Sequence, residues 1–281
     1  MGLKGLIKLV RVSNLLIIVL TQYFTAVFLT GRQQQWLEVL ADPWLFLLVL
    51  STTMIAAAGY MINDYYDIKI DYINKPDQVV VGRILKRRVV MAYNIGLNTV
   101  GLAIGVVLSW KIGLVHLGAI FLLWLYSNQL KRLPFVGNLS IALLTGAAVA
   151  VFAILFPNYE KLIYTYAVFA GSLTLIREII KDMEDLRGDA TFGCKTLPIV
   201  YGIRKTKVFL YLLTGIFIIL LFALARYTQN NTLNYFFLVL LLPIGWFTYL
   251  LVKADSKKHF TQLSSFCKGL MVCGLLSMML F

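Results

Sequence analysis

Charge is scarce in this chain. Only 14% of its 281 residues are Asp, Glu, Lys or Arg, where a soluble domain carries roughly 25%. Histidine and cysteine are scarcer still. His116 and His259, the two histidines, lie far apart in sequence and argue against a histidine-based metal centre. The three cysteines, Cys194, Cys267 and Cys273, are odd in number and match neither a disulfide framework nor zinc-ligand spacing. Cys194 falls in a loop expected in the cytoplasm, where thiols stay reduced; all three read as bystanders. No Ser or Cys nucleophile stands with a plausible base, and the D-G-x-x-A-R segment of a CDP-alcohol phosphotransferase is absent.

What the chain has instead is apolar length. It is 60% hydrophobic, with a mean hydropathy of +0.81, and its apolar runs are too long and too many for cores of soluble helices. Nine spans are expected: Asn14–Thr30, Pro43–Ile62, Val89–Ser109, Ile112–Ser127, Val136–Phe156, Leu162–Ile180, Val208–Ala225, Leu233–Val252 and Leu263–Leu280. The fourth is short, and Lys268 interrupts the ninth. Lys4, Lys8 and Arg11 precede an apolar stretch reaching Val27, as in a signal peptide. No small-x-small cleavage site follows, so the first span is expected to stay uncleaved. The expected fold is one all-α domain over residues 1–281, a polytopic bundle of nine transmembrane helices. Small residues at Ala56-Ala57-Ala58-Gly59, Gly101, Gly105 and Gly146-Ala147-Ala148 are expected to let helices pack closely. Tyr23, Trp36, Trp44, Trp110, Trp124 and Trp246 read as interfacial anchors.

The net charge of +13 does not point to nucleic acid, because the bases sit in short loops between apolar runs. They gather in the N-terminal segment and in the loops near 63–88, 128–135, 177–207 and 253–262. The other side keeps Arg32, Lys111, Lys161 and Arg226. By the positive-inside rule the N-terminus and the basic loops are cytoplasmic. This predicts an integral, multi-pass protein of a bacterial-type inner or cell membrane.

Acidic residues gather on the same side. In Asn63 to Asp71 (NDYYDIKID), Asp64, Asp67 and Asp71 follow the spacing i, i+3, i+7. On a helix that spacing puts three carboxylates on one face over about 10 Å. Lys181 to Asp189 (KDMEDLRGD) repeats it with Asp182, Asp185 and Asp189. Each triplet follows an apolar helix and precedes Lys, Pro and Gly: Lys75, Pro76 and Gly82, then Lys195, Pro198 and Gly202. That is the plan of an internal repeat with a helix-loop cap on the cytoplasmic side after helices two and six. Any one aspartate, Asp77 or Asp189 for example, reads as well as a helix cap or a partner of a loop lysine. Six in matched triplets do not. Carboxylates at membrane depth are costly unless they hold something positive, and Mg²⁺ takes a few carboxylates and leaves its other positions to water and substrate phosphates. Two facing triplets could hold such ions around one diphosphate and make it a good leaving group. Lys75, Arg83, Lys131 and Lys181 are placed to hold its outer oxygens. A secondary transporter also carries intramembrane acids and repeats, but its acids more often lie near mid-membrane than at one face.

The stretch NDYYDIKIDYINKP resembles the first signature, N-D-x-x-D-x-x-x-D, of the UbiA superfamily of intramembrane prenyltransferases. Asn63, Asp64, Asp67 and Asp71 match it. Asp185 and Asp189 match the second, D-x-x-x-D, with Asp182 one turn earlier. The flank Arg177 to Pro198 and the pair Arg11 and Asn14 are also similar. The resemblance covers the whole chain. It implies Mg²⁺-dependent transfer of a prenyl group from a prenyl diphosphate. The implied metal ligands are Asp64, Asp67, Asp71, Asp182, Asp185 and Asp189, with Asn63 in support. It places Arg11 and Asn14 on the acceptor side, and the prenyl tail within the bundle. Two departures stand out. N-K-P-x-R-P is here Asn74-Lys75-Pro76-Asp77-Gln78-Val79, so Arg83 is the substitute. Tyr-x-x-x-Lys is one position long, from Tyr126 to Lys131. Both motifs look similar to those of the geranylgeranylglyceryl-phosphate geranylgeranyltransferases, which implies a glycerol hydroxyl on a phosphorylated ether lipid as acceptor. An aromatic quinone precursor of hydroxybenzoate or dihydroxynaphthoate type is the alternative.

Overall fold

The computed structural model describes residues 2–281, and side chains from Gly5 onward except that of Thr228. Met1, where the expected domain begins, and the side chain of Lys4 lie outside what is described. Among the described residues the regular structure is helical, apart from one isolated bridge between Val81 and Leu85. A short α1 (Gly2–Leu9) precedes α2 (Val12–Phe24), which a π-helical turn extends to Leu29. Then come α3 (Trp36–Ala41), α4 (Pro43–Asn74), α5 (Arg87–Leu108), α6 (Trp110–Asn128) and α7 (Val136–Ala150), which α8 (Phe152–Leu155) continues. After α9 (Glu160–Glu184), a short α10 (Leu186–Thr191) leads to α11 (Leu197–Thr228), α12 (Asn231–Lys253) and α13 (Lys257–Ser277). Among the described residues nine helices are long and apolar enough to cross a membrane, in the expected order.

Several helices outrun the spans expected for them. Asp42 caps α4 by accepting from the Trp44 and Leu45 amides at 2.8 and 3.4 Å, and Pro43 occupies the first turn, where its missing N–H costs nothing. Nothing stops the helix at Ile62; it runs 32 residues to the Asn74-Lys75-Pro76 break. That is about 48 Å, well beyond a hydrocarbon core of ~30 Å. The turns carrying Asp64, Asp67 and Asp71 are therefore a continuation of the span itself. Likewise α9 runs past Ile180 to Glu184. α11 starts at Leu197, not Val208, with Pro198 in its first turn and a break at Gly202 (φ 79, ψ 159), a backbone conformation essentially reserved for glycine.

The second acid triplet departs from expectation. Helix α9 ends at Glu184, and Asp185 leaves the helical region (φ −93, ψ 5). Asp182, Asp185 and Asp189 thus do not share one uninterrupted helical face. The break lets α10 turn back against the end of α4, where Gly188 meets Asn74.

Helix α9 is the hub of the main core and packs on α7, α11 and α13. Gly146 on α7 faces the Ala167 carbonyl and Gly171 on α9 the Ala142 carbonyl, each so close that a Cβ would lie 3.1 Å from the oxygen. Helix α4 packs on α5 and α6, and α2 joins α4 to α13, so the spans surround a central space. A smaller apolar cluster (Leu9, Met61, Val80, Val81 and Val90) ties α1 and the turn after α4 to α5. The outer surface is apolar: Leu242, Val107 and Ile219 are 75, 71 and 69% exposed, tolerable where the neighbours are lipid tails.

Candidate active site

Along α4, Thr52, Ala56, Gly59, Tyr60 and Asn63 line a cavity of about 320 Å³ inside the bundle. Steps of three and four keep side chains on one face of a helix, so the same stripe continues outward through Asp64, Asp67 and Asp71. From the opposite wall α9 contributes Tyr166, Ala170, Leu173, Thr174, Arg177, Glu178 and Lys181. The first triplet is the polar end of a helix face whose inner end borders the cavity; of the second, Asp182 extends the α9 stripe, while Asp185 and Asp189 follow the end of that helix. Ile17, Ile18, Leu221, Phe237, Leu240 and Met271 complete an apolar wall, suited to an isoprenoid or acyl chain.

The triplets come together at the mouth. The Gly188 amide donates to Asn74 Oδ1 at 2.9 Å, and a Cβ on residue 188 would fall 2.4 Å from that oxygen. Lys75, just past α4, reaches across to Asp185 at 2.9 Å. Burial pulls the Lys75 ammonium down, but Asp185, then Glu184 and Asp71, more than offset it and leave it above its ordinary value. Asp189 is pushed up to about 7, first by burial and then by the like charges of Asp185 and of Asp67 from the other triplet.

Most of these acids already hold a partner. Arg11 binds Asp64 at 2.7 Å and stacks over the Tyr60 ring. Lys131 pairs with Asp67, and Asn138 donates to Asp182 at 2.8 Å. Among the described residues the carboxylates of Asp71 and Asp189 have neither hydrogen bond nor ion pair, and Asp185 Oδ1 and Asn63 Oδ1 are buried without a partner. No three of His, Cys, Asp or Glu converge closely enough among the described residues to hold a metal ion; ammonium and guanidinium groups stand among the carboxylates instead. The donor set still fits a hard divalent cation: all oxygen, partly buried, with two buried acceptors left without a partner.

The structure brings Asn63, Lys75 and Lys131 to this mouth. Lys181 lies one turn inside it, bonded at 3.1 Å to Glu178 rather than to an aspartate. Arg83 is elsewhere: it is exposed and donates to the Pro76 carbonyl at 3.2 Å, touching none of the six acids. Arg11 and Asn14 both line the cavity. Helix α13 runs uninterrupted through Lys268, which donates to Asn14 Oδ1 at 3.1 Å. Cys194, near Asp189, has its thiol pushed up by burial and then by that carboxylate, which keeps it inert.

Some members of the site carried no assignment from sequence. Glu178 is buried between Arg177 at 2.7 Å and Lys181; the i, i+3 spacing to Lys181 was a readable signal. Asn138 and Lys257, whose ammonium donates to the Asn74 carbonyl at 2.6 Å, reach the site from distant helices and had none.

A family model described as the UbiA prenyltransferase family matches residues 18–269. A digeranylgeranylglyceryl phosphate synthase of Pyrococcus horikoshii is 37% identical over 164 residues, 58% of this chain and 59% of that one. One from Methanosphaera stadtmanae is 33% identical over 213 residues, 75% of this chain and 78% of that one. The chain thus spans 59% of the length of the first relative and 78% of the second. Among solved structures, one from a study of digeranylgeranylglyceryl phosphate synthase in membranes superposes with a TM-score of 0.70 at 24% identity, covering 99% of this chain and 98% of that one. A UbiA homolog from Archaeoglobus fulgidus bound to GPP and Mg²⁺ gives 0.66 at 17% identity, covering 98% and 99%. Both share the fold.

Proposed function

The chain belongs to the UbiA prenyltransferase family, and from that premise we propose that it transfers a geranylgeranyl group from its diphosphate to the glycerol hydroxyl of geranylgeranylglyceryl phosphate, releasing diphosphate. The observation that carries this is the union of two acid motifs, clasped by Asn74 and Gly188, at the mouth of an apolar cavity. The relatives from Pyrococcus horikoshii and Methanosphaera stadtmanae support the choice of acceptor; the Archaeoglobus fulgidus homolog, bound to GPP and Mg²⁺, supports the choice of metal.

Asp64, Asp67, Asp71, Asp182, Asp185 and Asp189 are the residues that would hold Mg²⁺, with Asn63 beside them. When bound, the metal supplies charge neutralisation for a departing diphosphate. Lys75 and Lys131 already sit among the acids and are placed to turn their ammonium groups onto phosphate oxygens. The apolar walls hold the prenyl chain and exclude water from the allylic carbon, C1, as its bond to the diphosphate oxygen breaks. The glycerol oxygen then bonds to C1 and its proton departs. Arg11 and Asn14 face that side. The acidic mouth and the N-terminus lie in the cytoplasm, in keeping with the basic loops.

The test is a substrate panel. Purified protein with Mg²⁺ and geranylgeranyl diphosphate should yield a product of the mass expected for the doubly alkylated glycerol phosphate. Product only with hydroxybenzoate or dihydroxynaphthoate would overturn the lipid acceptor. Undiminished transfer by Asp67→Ala and Asp185→Ala would overturn the assignment of the site.

A further inference from the structure

Inside the aspartates the cavity wall becomes basic. Arg11, Arg177, Lys181 and Lys268 all line it. Arg11 is matched by Asp64, while Arg177 and Lys181 share the single carboxylate of Glu178. Lys268, in the middle of α13, has only the neutral amide oxygen of Asn14 at 3.1 Å. Among the described residues no carboxylate lies within ion-pair distance of it; Arg177, Lys181 and Arg11 are within its electrostatic reach, and of the carboxylates Glu178 reaches it most weakly after these three cations. Arg177 Nε is buried with no partner at all. Four cations against two carboxylates, deep in a membrane bundle, leave a positive surplus, and such a surplus at that depth marks a place where an anion belongs.

We propose that Lys268 and Arg177 form a second anion subsite, separate from the acidic mouth, that takes the phosphate monoester of the lipid acceptor. This rests on the acceptor reading above. Depth separates the two sites. Along α9, Arg177 precedes Asp182, the innermost aspartate, by five residues, about 7.5 Å at 1.5 Å per residue, so the subsite is offset inward from the acidic mouth. The link from Lys268 to Asn14 joins α13 to α2, so the subsite spans the seam between the last and first membrane helices. A lipid phosphate held there keeps its glycerol carbons next to the cavity, where the prenyl C1 is delivered.

The test is a binding measurement that needs no turnover. Oleoylglycerol phosphate, a single-chain phosphate monoester, and its neutral counterpart monooleoylglycerol are titrated into the purified full-length protein without donor or metal. Lys268→Met should weaken monoester binding by about 30-fold or more, the lower end of the range for removing one partner of a buried charge pair, and Lys268→Arg should restore most of it. The neutral lipid should not discriminate among the three proteins. Binding of geranyl diphosphate with Mg²⁺ to Lys268→Met should match wild type, which also shows that the variant folds. Equal monoester affinity in wild type and Lys268→Met would overturn the subsite, as would a parallel loss of diphosphate binding. Lipid turnover with no dependence on Lys268 would overturn the subsite and leave the acceptor reading. Prenylation of aromatic acceptors alone would overturn the acceptor reading.

Discussion

The side chain of Asn74, at the end of α4, accepts a hydrogen bond from the backbone amide of Gly188 on α10 at 2.9 Å. This contact joins the two acid motifs across more than a hundred residues of chain. Replacing Gly188 by Ala would put a Cβ 2.4 Å from Asn74 Oδ1, against a neighbour that is itself buried. Gly188→Ala is expected to push the motifs apart and lose most transfer activity, with a larger rise in the Mg²⁺ concentration needed for half-maximal rate than in KM for the acceptor. Asn74→Ala, which removes the bond without a clash, should cost about 1–3 kcal/mol of stability, read as a lower Tm. Equal Mg²⁺ dependence in Gly188→Ala and wild type would contradict the clasp.

Asp189 sets a pH dependence. Its folded value of about 7 lies above the ordinary carboxylate value of 3.8, through burial first and then Asp185 and Asp67. Its protonated form is therefore the one the metal-free fold favours. The associated stability is fully present below the ordinary value and is lost as pH rises through about 7. In chelator, the protein should melt at a lower temperature at pH 8 than at pH 6, and Asp189→Asn should shrink that difference. Metal ligation needs the carboxylate, so half-saturation by Mg²⁺ should shift to higher concentration as pH falls through 7.

Lys131 and Asp67 pair with only 9 and 14% of their side chains exposed. Removing one partner of such a pair strands the other, at a cost of about 3 kcal/mol or more. Asp67→Asn alone should destabilise the metal-free protein by that order. The double variant Asp67→Asn, Lys131→Met should recover most of the loss while staying inactive. Denaturation in detergent together with an activity assay separates the two effects; a double variant as unstable as Asp67→Asn would rule out stranding as the cause.

At Gly202 the backbone adopts φ 79, ψ 159. Gly202→Ala should cost on the order of 1–3 kcal/mol, seen as a lower Tm with or without Mg²⁺. Gly215, in the same helix with open space around it, is the control: Gly215→Ala should be neutral or stabilising.

The first acid triplet was legible because all of its geometry is local. Asp64, Asp67 and Asp71 lie on one helix, and one period places them. The second was half legible. Nothing between Ile180 and Asp185 breaks a helix by composition, so the stop at Glu184 had no signal; it follows from packing of α10 on Asn74. Partners close in sequence to the motifs, such as Lys75, could be nominated from the charge pattern alone. Lys131 is legible both from the charge pattern of its loop and from the family pattern. Arg83 was nominated by proximity in the chain, but the turn after α4 carries it to the surface. Asn138, Lys257 and the bond from Lys268 to Asn14 depend on how distant helices meet, and local periodicity holds no information about that.

The cations already seated among the aspartates change what binding means at this mouth. Arg11, Lys75 and Lys131 compensate three of the six carboxylates. On the proposed function, a metal held by these carboxylates would compete for them with the resident cations. A guanidinium or ammonium released in that way would lack a counter-ion, which the diphosphate would supply. Metal and diphosphate are thereby thermodynamically coupled: each should raise the affinity of the site for the other.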